Sequence, residues 1–214
     1  MREQRPLDRS LWNAILDHMP LTGAAWGATG PRVRCPAAEL KFLLFGDLVN
    51  FGALPEEHYP AFFHVFQVWV LRHVVNALKH RPAFGNTWGD GFHFVFDDAV
   101  TCADFALRTI DRMAAVDWTT LGLPPETNLR IGIHAGAVCR WRDPILGRSC
   151  YCGRPVTLAA RIEPIATPGC AFTSEPFAAH LGATPKHPFF CRSLGPMRLD
   201  KEAGVCCLYL LGRK

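Results

Sequence analysis

Apolar and polar positions alternate along the chain in blocks that predict strands and helices. Residues 41–47 (KFLLFGD) form an apolar run that ends on a carboxylate, which predicts a buried strand with Asp47 at its carboxyl end. A helix is predicted to begin near Pro55, because apolar residues then recur at helical spacing until His80. Most of this helix is expected to be buried.

A hairpin is predicted next, in the segment AFGNTWGDGFHFVF, where two short apolar stretches flank a Gly-Asp-Gly sequence. Asp90 then lies at the hairpin tip. Asp97 and Asp98 can cap a following helix with one apolar face, and residues 129–138 (LRIGIHAGAV) predict a strand. After an irregular excursion over residues 140–149, PVTLAARIEPIA predicts a helix, and short strands with one small helix complete the chain.

This order of elements predicts an α+β fold with a ferredoxin-like βαββαβ core and extra C-terminal strands and helices. In that topology the first strand lies beside the hairpin strands. Asp47 and Asp90, although 43 residues apart in the sequence, are therefore expected to converge at one end of the sheet. Two carboxylates would then face one space.

One candidate domain boundary stands out, the Gly/Pro-rich segment of residues 21–36. It predicts an N-terminal helical arm and linker over residues 1–38 and one main domain over residues 39–214. The first residues are interrupted by charge, and no apolar run approaches the ~18 residues of a membrane helix. The sequence therefore predicts a cytoplasmic protein that neither enters nor binds a membrane.

Composition adds few constraints. With 49% hydrophobic and 20% charged residues, 214 residues suffice for one globular domain with a substantial core. A net charge of +4 is modest, so nucleic-acid binding is not expected, whereas small anionic ligands are compatible with it. Nine cysteines in a chain of this size favour reduced thiols over a disulfide framework.

The two converging carboxylates suit a hard divalent cation, because Mg²⁺ and Mn²⁺ are usually held by one or two carboxylates plus substrate phosphate oxygens. The backbone carbonyl of Leu48 can add a ligand to those of Asp47 and Asp90. A polyphosphate can be bound by the backbone amides of the turn that follows, at Val49, Asn50, Phe51 and Gly52. The alternative is that Asp47 merely ends a strand and Asp90 merely forms an Asp-Gly turn.

Four segments, FGDLVNF, GDGFHFVF, RIGIHAGAV and YCGRPVTLAARIE, together resemble the catalytic domain of class III nucleotidyl cyclases. The resemblance runs from about Glu39 to Leu211. It implies a homodimer whose active sites lie at the subunit interface, with two divalent cations, Mn²⁺ or Mg²⁺, held by Asp47 and Asp90 of one subunit. It also implies that Arg161 of the other subunit stabilises the transition state when the ribose 3′-hydroxyl of a nucleoside triphosphate attacks the α-phosphorus.

Three positions depart from the family pattern. Thr157 stands where the family usually has an asparagine that positions the ribose, so the hydroxyl either acts through water or is structural. The two base-reading positions carry Asn86 and Cys150, which is the code of neither adenylyl nor guanylyl cyclases. Asn86 can donate and accept hydrogen bonds, as a uracil or cytosine edge requires, and the aromatic Phe45 or Phe51 narrows the space for the base.

The sequence has this unusual base-reading pair and contains no receptor or sensor module. In both respects it resembles the freestanding pyrimidine cyclases of the bacterial Pycsar anti-phage system. That resemblance implies synthesis of cyclic UMP from UTP, with cyclic CMP from CTP as the close variant, and a separate effector that senses the product. Two alternatives stay open. One is an orphan adenylyl or guanylyl cyclase, and the other is a non-catalytic homologue that binds nucleotide.

Overall fold

Eight strands form one sheet in the computed structural model, which describes residues 38–49, 51–143, 145, 147–200 and 204–214. The order across the sheet is β2-β3-β1-β4-β6-β8-β7, and β5 pairs only with β4. The predicted arm lies outside the described residues except at its end, and so does Asn50. The strands are β1 (Glu39–Leu48), β2 (Phe84–Trp88), β3 (Gly91–Phe96), β4 (Leu129–Arg142), β5 (Ser149–Cys152), β6 (Cys170–Ser174), β7 (Phe189–Leu199) and β8 (Gly204–Arg213).

Helices connect these strands. Between β1 and β2 the chain forms α1 (Tyr59–Phe63), a π-helical segment (His64–Arg72) and α2 (His73–Ala77) without interruption. The other helices are α3 (Ala99–Ala114), α4 (Arg154–Ile162) and α5 (Glu175–Ala183). The α3 helix begins as predicted, because the Asp98 carboxylate accepts a hydrogen bond of 2.7 Å from the Thr101 amide. The helical run after β1 ends at Ala77, three residues before the predicted end.

The strand pairing confirms the α+β class and the ferredoxin-like core. The central strand β1 is antiparallel to both β3 and β4, and β4 is parallel to β6. The predicted excursion over residues 140–149 is wrong in part, because β4 continues to Arg142 and β5 turns back to pair with it. This arm is half exposed and has no buried face, so its sequence lacks the apolar alternation that predicts a strand.

The two faces of the sheet are covered differently. Alternate residues of β1, β3 and β4 point to a core of aromatic and aliphatic side chains beneath α1 to α3, among them Leu44, Phe92, Phe94, Ile131 and Ile133. The other face carries Leu43, Phe45 and Asp47 of β1, with α4 packed over part of it through Ala159. We call this second surface the site face.

Glycines on β4 allow α4 to pack closely against the site face. A Cβ atom at Gly136 would lie 2.6 Å from Cγ of Pro155, and one at Gly132 would lie 2.2 Å from the backbone nitrogen of Glu163. Larger apolar residues and glycines therefore alternate in the sequence IGIHAGA for two reasons. The apolar side chains face the core, and the glycines make room for the helix on the other face.

Seven cysteines of the described residues are free thiols, in keeping with the prediction. Cys139 is not among them, because it is disulfide-bonded, so the prediction of reduced thiols is wrong at that position. No helix in the described part of the chain is long and apolar enough to span a membrane.

Candidate active site

Two carboxylates meet at one end of the sheet, as the sequence predicts. Asp47 is the penultimate residue of β1, and Asp90 lies in the tight turn between β2 and β3, where Gly46 pairs with Phe92. Burial raises the pKa of Asp90 above its ordinary value, and the carboxylate of Asp47 raises it further. The site therefore concentrates negative charge that the protein itself does not fully neutralise.

A third acidic residue and one arginine complete this cluster, and neither is among the site residues predicted from the sequence. Arg130 lies opposite Asp47 on β4, and its Nη2 is 3.1 Å from Oδ2 of Asp47. Its Nε is 3.1 Å from Oε1 of Glu163, which follows α4. Burial raises the pKa of Glu163 to about 7, although Arg130 opposes the shift. Arg130 thus contacts two carboxylates, and its charge also acts on Asp90.

This donor set fits a divalent cation that is completed by substrate. No group of three or more histidine, cysteine, aspartate or glutamate side chains converges as a metal centre in the residues that the structure describes. Asp47 and Asp90 nevertheless lie close enough for one carboxylate to raise the pKa of the other. Such a pair suits Mg²⁺ or Mn²⁺, which take oxygen ligands from carboxylates and from phosphate groups together.

The turn after β1 offers less to a phosphate than the sequence predicts. The amide of Val49 donates to the carbonyl of Asn128 at 3.2 Å and is not available. The Phe51 ring packs against Tyr59 and Phe62, with ring centroids 5.4 and 5.1 Å away. Gly52 is exposed, with open space around its Cα. Leu48 pairs with Leu129 of β4 and its side chain is buried.

Asn86 and Cys150 lie on neighbouring elements, but a third residue connects them. Arg148, two residues before Cys150, donates from Nη2 to Oδ1 of Asn86 at 2.5 Å and from Nη1 to the carbonyl of Gly85 at 3.4 Å. Its guanidinium also lies over the ring of Phe84, 5.4 Å from the centroid. A guanidinium has no acceptor, so the orientation of the Asn86 amide is fixed with its oxygen toward Arg148.

Aromatic rings fill the site face beside Asn86. His93 is the cross-strand partner of both Asn86 and Phe45, and its ring stacks on that of Phe45 with centroids 4.1 Å apart. Trp88 lies 6.2 Å from Phe45. Burial lowers the pKa of His93 to about 4, so the ring is neutral at pH 7 and its Nδ1 donates to the Leu44 carbonyl at 3.0 Å.

Thr157 and Arg161 lie one turn apart on α4, on the side away from Ala159 and Ile162, which are buried. Neither side chain has a hydrogen bond or an ion pair with the residues that the structure describes in the same protomer. His134 of β4 is buried, and its Nδ1 lies 2.7 Å from Oγ of Ser174.

Arg130, Glu163, His93 and the role of Arg148 were missed by sequence reasoning. A signal existed for Arg130, because residues of β4 with even numbers share one face with Gly132 and His134. The register that places it opposite Asp47 could not be obtained from the sequence. Glu163 is brought into the site by the close approach of its backbone to Gly132, which is a tertiary contact.

Comparison with known proteins gives a consistent result. Residues 38–211 match the profile of the adenylate and guanylate cyclase catalytic domain. The guanylate cyclase domain of RhGC from Catenaria anguillulae, solved with GTP, has a TM-score of 0.69 and 20% identity, covering 82% of this chain and 97% of its own. An adenylate cyclase from Trypanosoma brucei has a TM-score of 0.68 and 19% identity, covering 82% and 92%. No curated protein sequence matches the chain.

The chain therefore belongs to the adenylate and guanylate cyclase catalytic domain family, which confirms the resemblance seen in the sequence. Residues 38–211 form a nucleotidyl cyclase catalytic domain, and class III cyclases as a group use divalent metal ions. The solved structures, at about 20% identity, share the fold of this chain.

Proposed function

We propose that this domain converts UTP into 3′,5′-cyclic UMP and pyrophosphate. The observation that carries the choice of base is the hydrogen bond from Arg148 to the amide oxygen of Asn86. Since the oxygen is engaged, the amino group of Asn86 is the part available to a ligand, and it can only donate. A donor at this point matches the O4 carbonyl of uracil and opposes the amino groups of cytosine and adenine.

The space beside Asn86 favours a single-ring base. Phe45 is held by its stack on His93, and Trp88 stands near it, so aromatic side chains occupy the surface next to the amide. Cys150 carries no charge with which to select a purine, because burial and the nearby Asp143 raise the pKa of its thiol. These features support a pyrimidine and, among pyrimidines, uracil.

In the proposed reaction two divalent cations, Mn²⁺ or Mg²⁺, bind Asp47 and Asp90, with the carbonyl of Leu48 as a further ligand. The cations, when bound, supply an activated ribose 3′-hydroxyl and neutralise the phosphate charge. Asp47 and Asp90 orient this end of the substrate against the sheet. Arg130 keeps a positive charge beside the phosphates. The exposed Gly52, next to Phe51, borders the triphosphate.

We further propose that the active site is shared between two copies of the chain. Arg161 and Thr157 project together from α4 without partners in the described residues of their own protomer, so they are suited to a substrate held by another subunit. The arm of β4 and β5 exposes Trp141 and Ile145, whose side chains a second copy would cover. Arg161 would stabilise charge on the α-phosphoryl oxygens.

The biological role that we propose is second-messenger synthesis in the cytoplasm during anti-phage defence, with a separate effector that senses the cyclic nucleotide. The support is the likeness of the base-reading pair, Asn86 and Cys150, to a pyrimidine code. Infection of cells that carry this chain, followed by measurement of cyclic UMP before lysis, tests the role. Unchanged cyclic UMP after infection would contradict it.

The decisive experiment is competition among UTP, CTP, ATP and GTP on the purified protein with Mn²⁺, with identification of each cyclic product. We expect cyclic UMP to dominate by at least ~10-fold in kcat/KM, which is a modest difference in transition-state binding. A preference for ATP or CTP would show that Asn86 does not read the base as argued. No product from any triphosphate, with nucleotide binding retained, would favour the non-catalytic alternative.

Guanylyl cyclase activity is the second candidate, because O6 of guanine is also an acceptor that the Asn86 amino group can reach. Competition among the four triphosphates distinguishes a uridylyl from a guanylyl cyclase. Cyclic GMP as the main product would mean that the aromatic side chains leave room for a purine.

A further inference from the structure

Arg130 is held between two carboxylates that differ in burial. Its own side chain is 28% exposed, Asp47 at the end of β1 is 35% exposed, and Glu163 is only 12% exposed. The guanidinium therefore connects an accessible carboxylate, which we have proposed as a cation ligand, to an enclosed one. The two contacts use different nitrogens, Nη2 toward Asp47 and Nε toward Glu163.

We propose that Arg130 serves as a counter-ion that occupies Asp47 until a divalent cation binds, and that Glu163 is the positioning residue that retains the displaced guanidinium in the site. The inference rests on the proposed metal site and adds two residues to it. A cation bound to Oδ2 of Asp47 takes the oxygen that Nη2 now contacts. The guanidinium must then give up that contact, and Glu163 is the carboxylate that it still touches.

The packing of α4 makes Glu163 a fixed partner. The backbone nitrogen of Glu163 approaches β4 so closely that a Cβ atom at Gly132 would lie 2.2 Å from it, and the Ala159 carbonyl would be 2.7 Å away. Because strand and helix are in contact at this point, the carboxyl group cannot follow Arg130 if the arginine leaves. Asp47, at the strand end, is the freer of the two partners.

The hydrogen bonding also points to two positions for the guanidinium. Nε of Arg130 and Oε1 of Glu163 are both buried, and neither has a hydrogen bond although they lie 3.1 Å apart. Buried polar groups without hydrogen bonds are costly, so the present contact is a compromise imposed by the pull of Asp47. Release from Asp47 allows the guanidinium to align with Glu163, which compensates for the lost contact.

Titration of the nucleotide-free protein with Mn²⁺, followed by the electron paramagnetic resonance of free Mn²⁺, tests this inference without any catalytic readout. Arg130→Gln should bind Mn²⁺ about two- to five-fold more tightly than wild type, as expected for loss of a partly exposed competing ion pair. Glu163→Gln should bind about two-fold more weakly, because Arg130 then stays on Asp47.

The double variant separates a positioning role from a general effect of charge. If Glu163 acts through Arg130, Glu163→Gln has no effect on Mn²⁺ affinity once Arg130 is glutamine. An equal weakening in both backgrounds would mean that Glu163 only contributes negative charge, and it would overturn the inference. Should Glu163→Gln fail to fold, an Arg130→Gln affinity equal to that of wild type would overturn it as well.

Two further variants keep this test distinct from the metal site itself. Asp47→Ala should lose most of the Mn²⁺ affinity, and an unchanged affinity would contradict the metal site rather than the role of Arg130. Arg108→Gln removes an arginine that is paired with Asp104 on α3, away from the cluster, and should leave the affinity as in wild type.

Discussion

The two faces of the central sheet show what a sequence can and cannot specify. On the core face, β1, β3 and β4 contribute side chains that are almost all aromatic or aliphatic, and Phe92, Phe94 and Phe96 pack in turn against Phe105. On the site face the same strands carry Asp47 and Arg130, which pair with each other, and His93, which stacks on Phe45. The core face is stabilised by packing among hydrophobic side chains that could replace one another. The site face depends on ion pairs and hydrogen bonds between particular residues.

The largest difference between the two faces is expected in turnover, when the carboxylates of Asp47 and Asp90 on the site face are removed. Asp47→Ala and Asp90→Ala should each lower kcat by about 10³-fold or more, because each removes a proposed metal ligand and no core packing. Cyclic nucleotide formation and thermal unfolding, measured on the same preparations, check this. A matched control is Asp104→Ala, an acidic residue on α3 that should leave turnover unchanged. Activity of either site variant at saturating Mn²⁺ would contradict the assignment.

Mixing two inactive variants sharpens the proposal of a shared site. Asp47→Ala and Arg161→Ala, after subunit exchange, should recover about a quarter of wild-type activity, because half of the dimers are mixed and each has one intact site of two. Mixing Asp47→Ala with Asp90→Ala is the control and should recover nothing, since both residues belong to the same half of the site. Recovery in the control or none in the test would place the residues differently.

Substitutions on the core face should instead affect folding. Phe105→Ala removes a fully buried ring that contacts three other phenylalanines, and it should lower the free energy of unfolding by about 3–5 kcal/mol. Asn86→Ala, at a half-buried position on the site face, should change it by less than about 1 kcal/mol. Denaturant titration of both variants measures the difference, and equal losses would mean that the site face also supports the core.

A smaller, selective effect is expected at Arg148. Arg148→Ala frees the Asn86 amide to rotate, so the preference for UTP over CTP should fall by about ten-fold while turnover of UTP itself changes less. Arg142→Ala, an exposed arginine on the same arm, serves as the control. Competition between UTP and CTP gives the ratio directly. An unchanged ratio in Arg148→Ala would show that the orientation of Asn86 does not set the base.

The same contrast explains how far the sequence could lead. An apolar run predicted β1 and a Gly-Asp-Gly turn predicted the hairpin. The order of the elements then predicted the meeting of Asp47 with Asp90, because in a βαββαβ fold the first strand lies beside the hairpin. The Asp47–Arg130–Glu163 cluster required the register of β1 against β4 and the approach of α4 to Gly132. Neither has a local signal. The bond between Arg148 and Asn86, 62 residues apart, depends on the β4–β5 arm, which was predicted as irregular.

The smallest predicted effect concerns the buried histidines, His93 on the site face and His134 beside α5. Burial lowers the pKa of each from 6.5 to about 4, so in this interval the unfolded chain binds protons that the folded protein does not. Their stabilising contribution is therefore complete above pH 6.5 and is lost progressively as the pH falls toward 4. His93→Met, which cannot titrate, should remove about half of this dependence, whereas His73→Gln at an exposed helical position should not. Thermal unfolding between these two pH values measures the slope of stability against pH. An equal slope in wild type and His93→Met would mean that the His93 ring binds its proton as readily in the folded protein as in the unfolded chain.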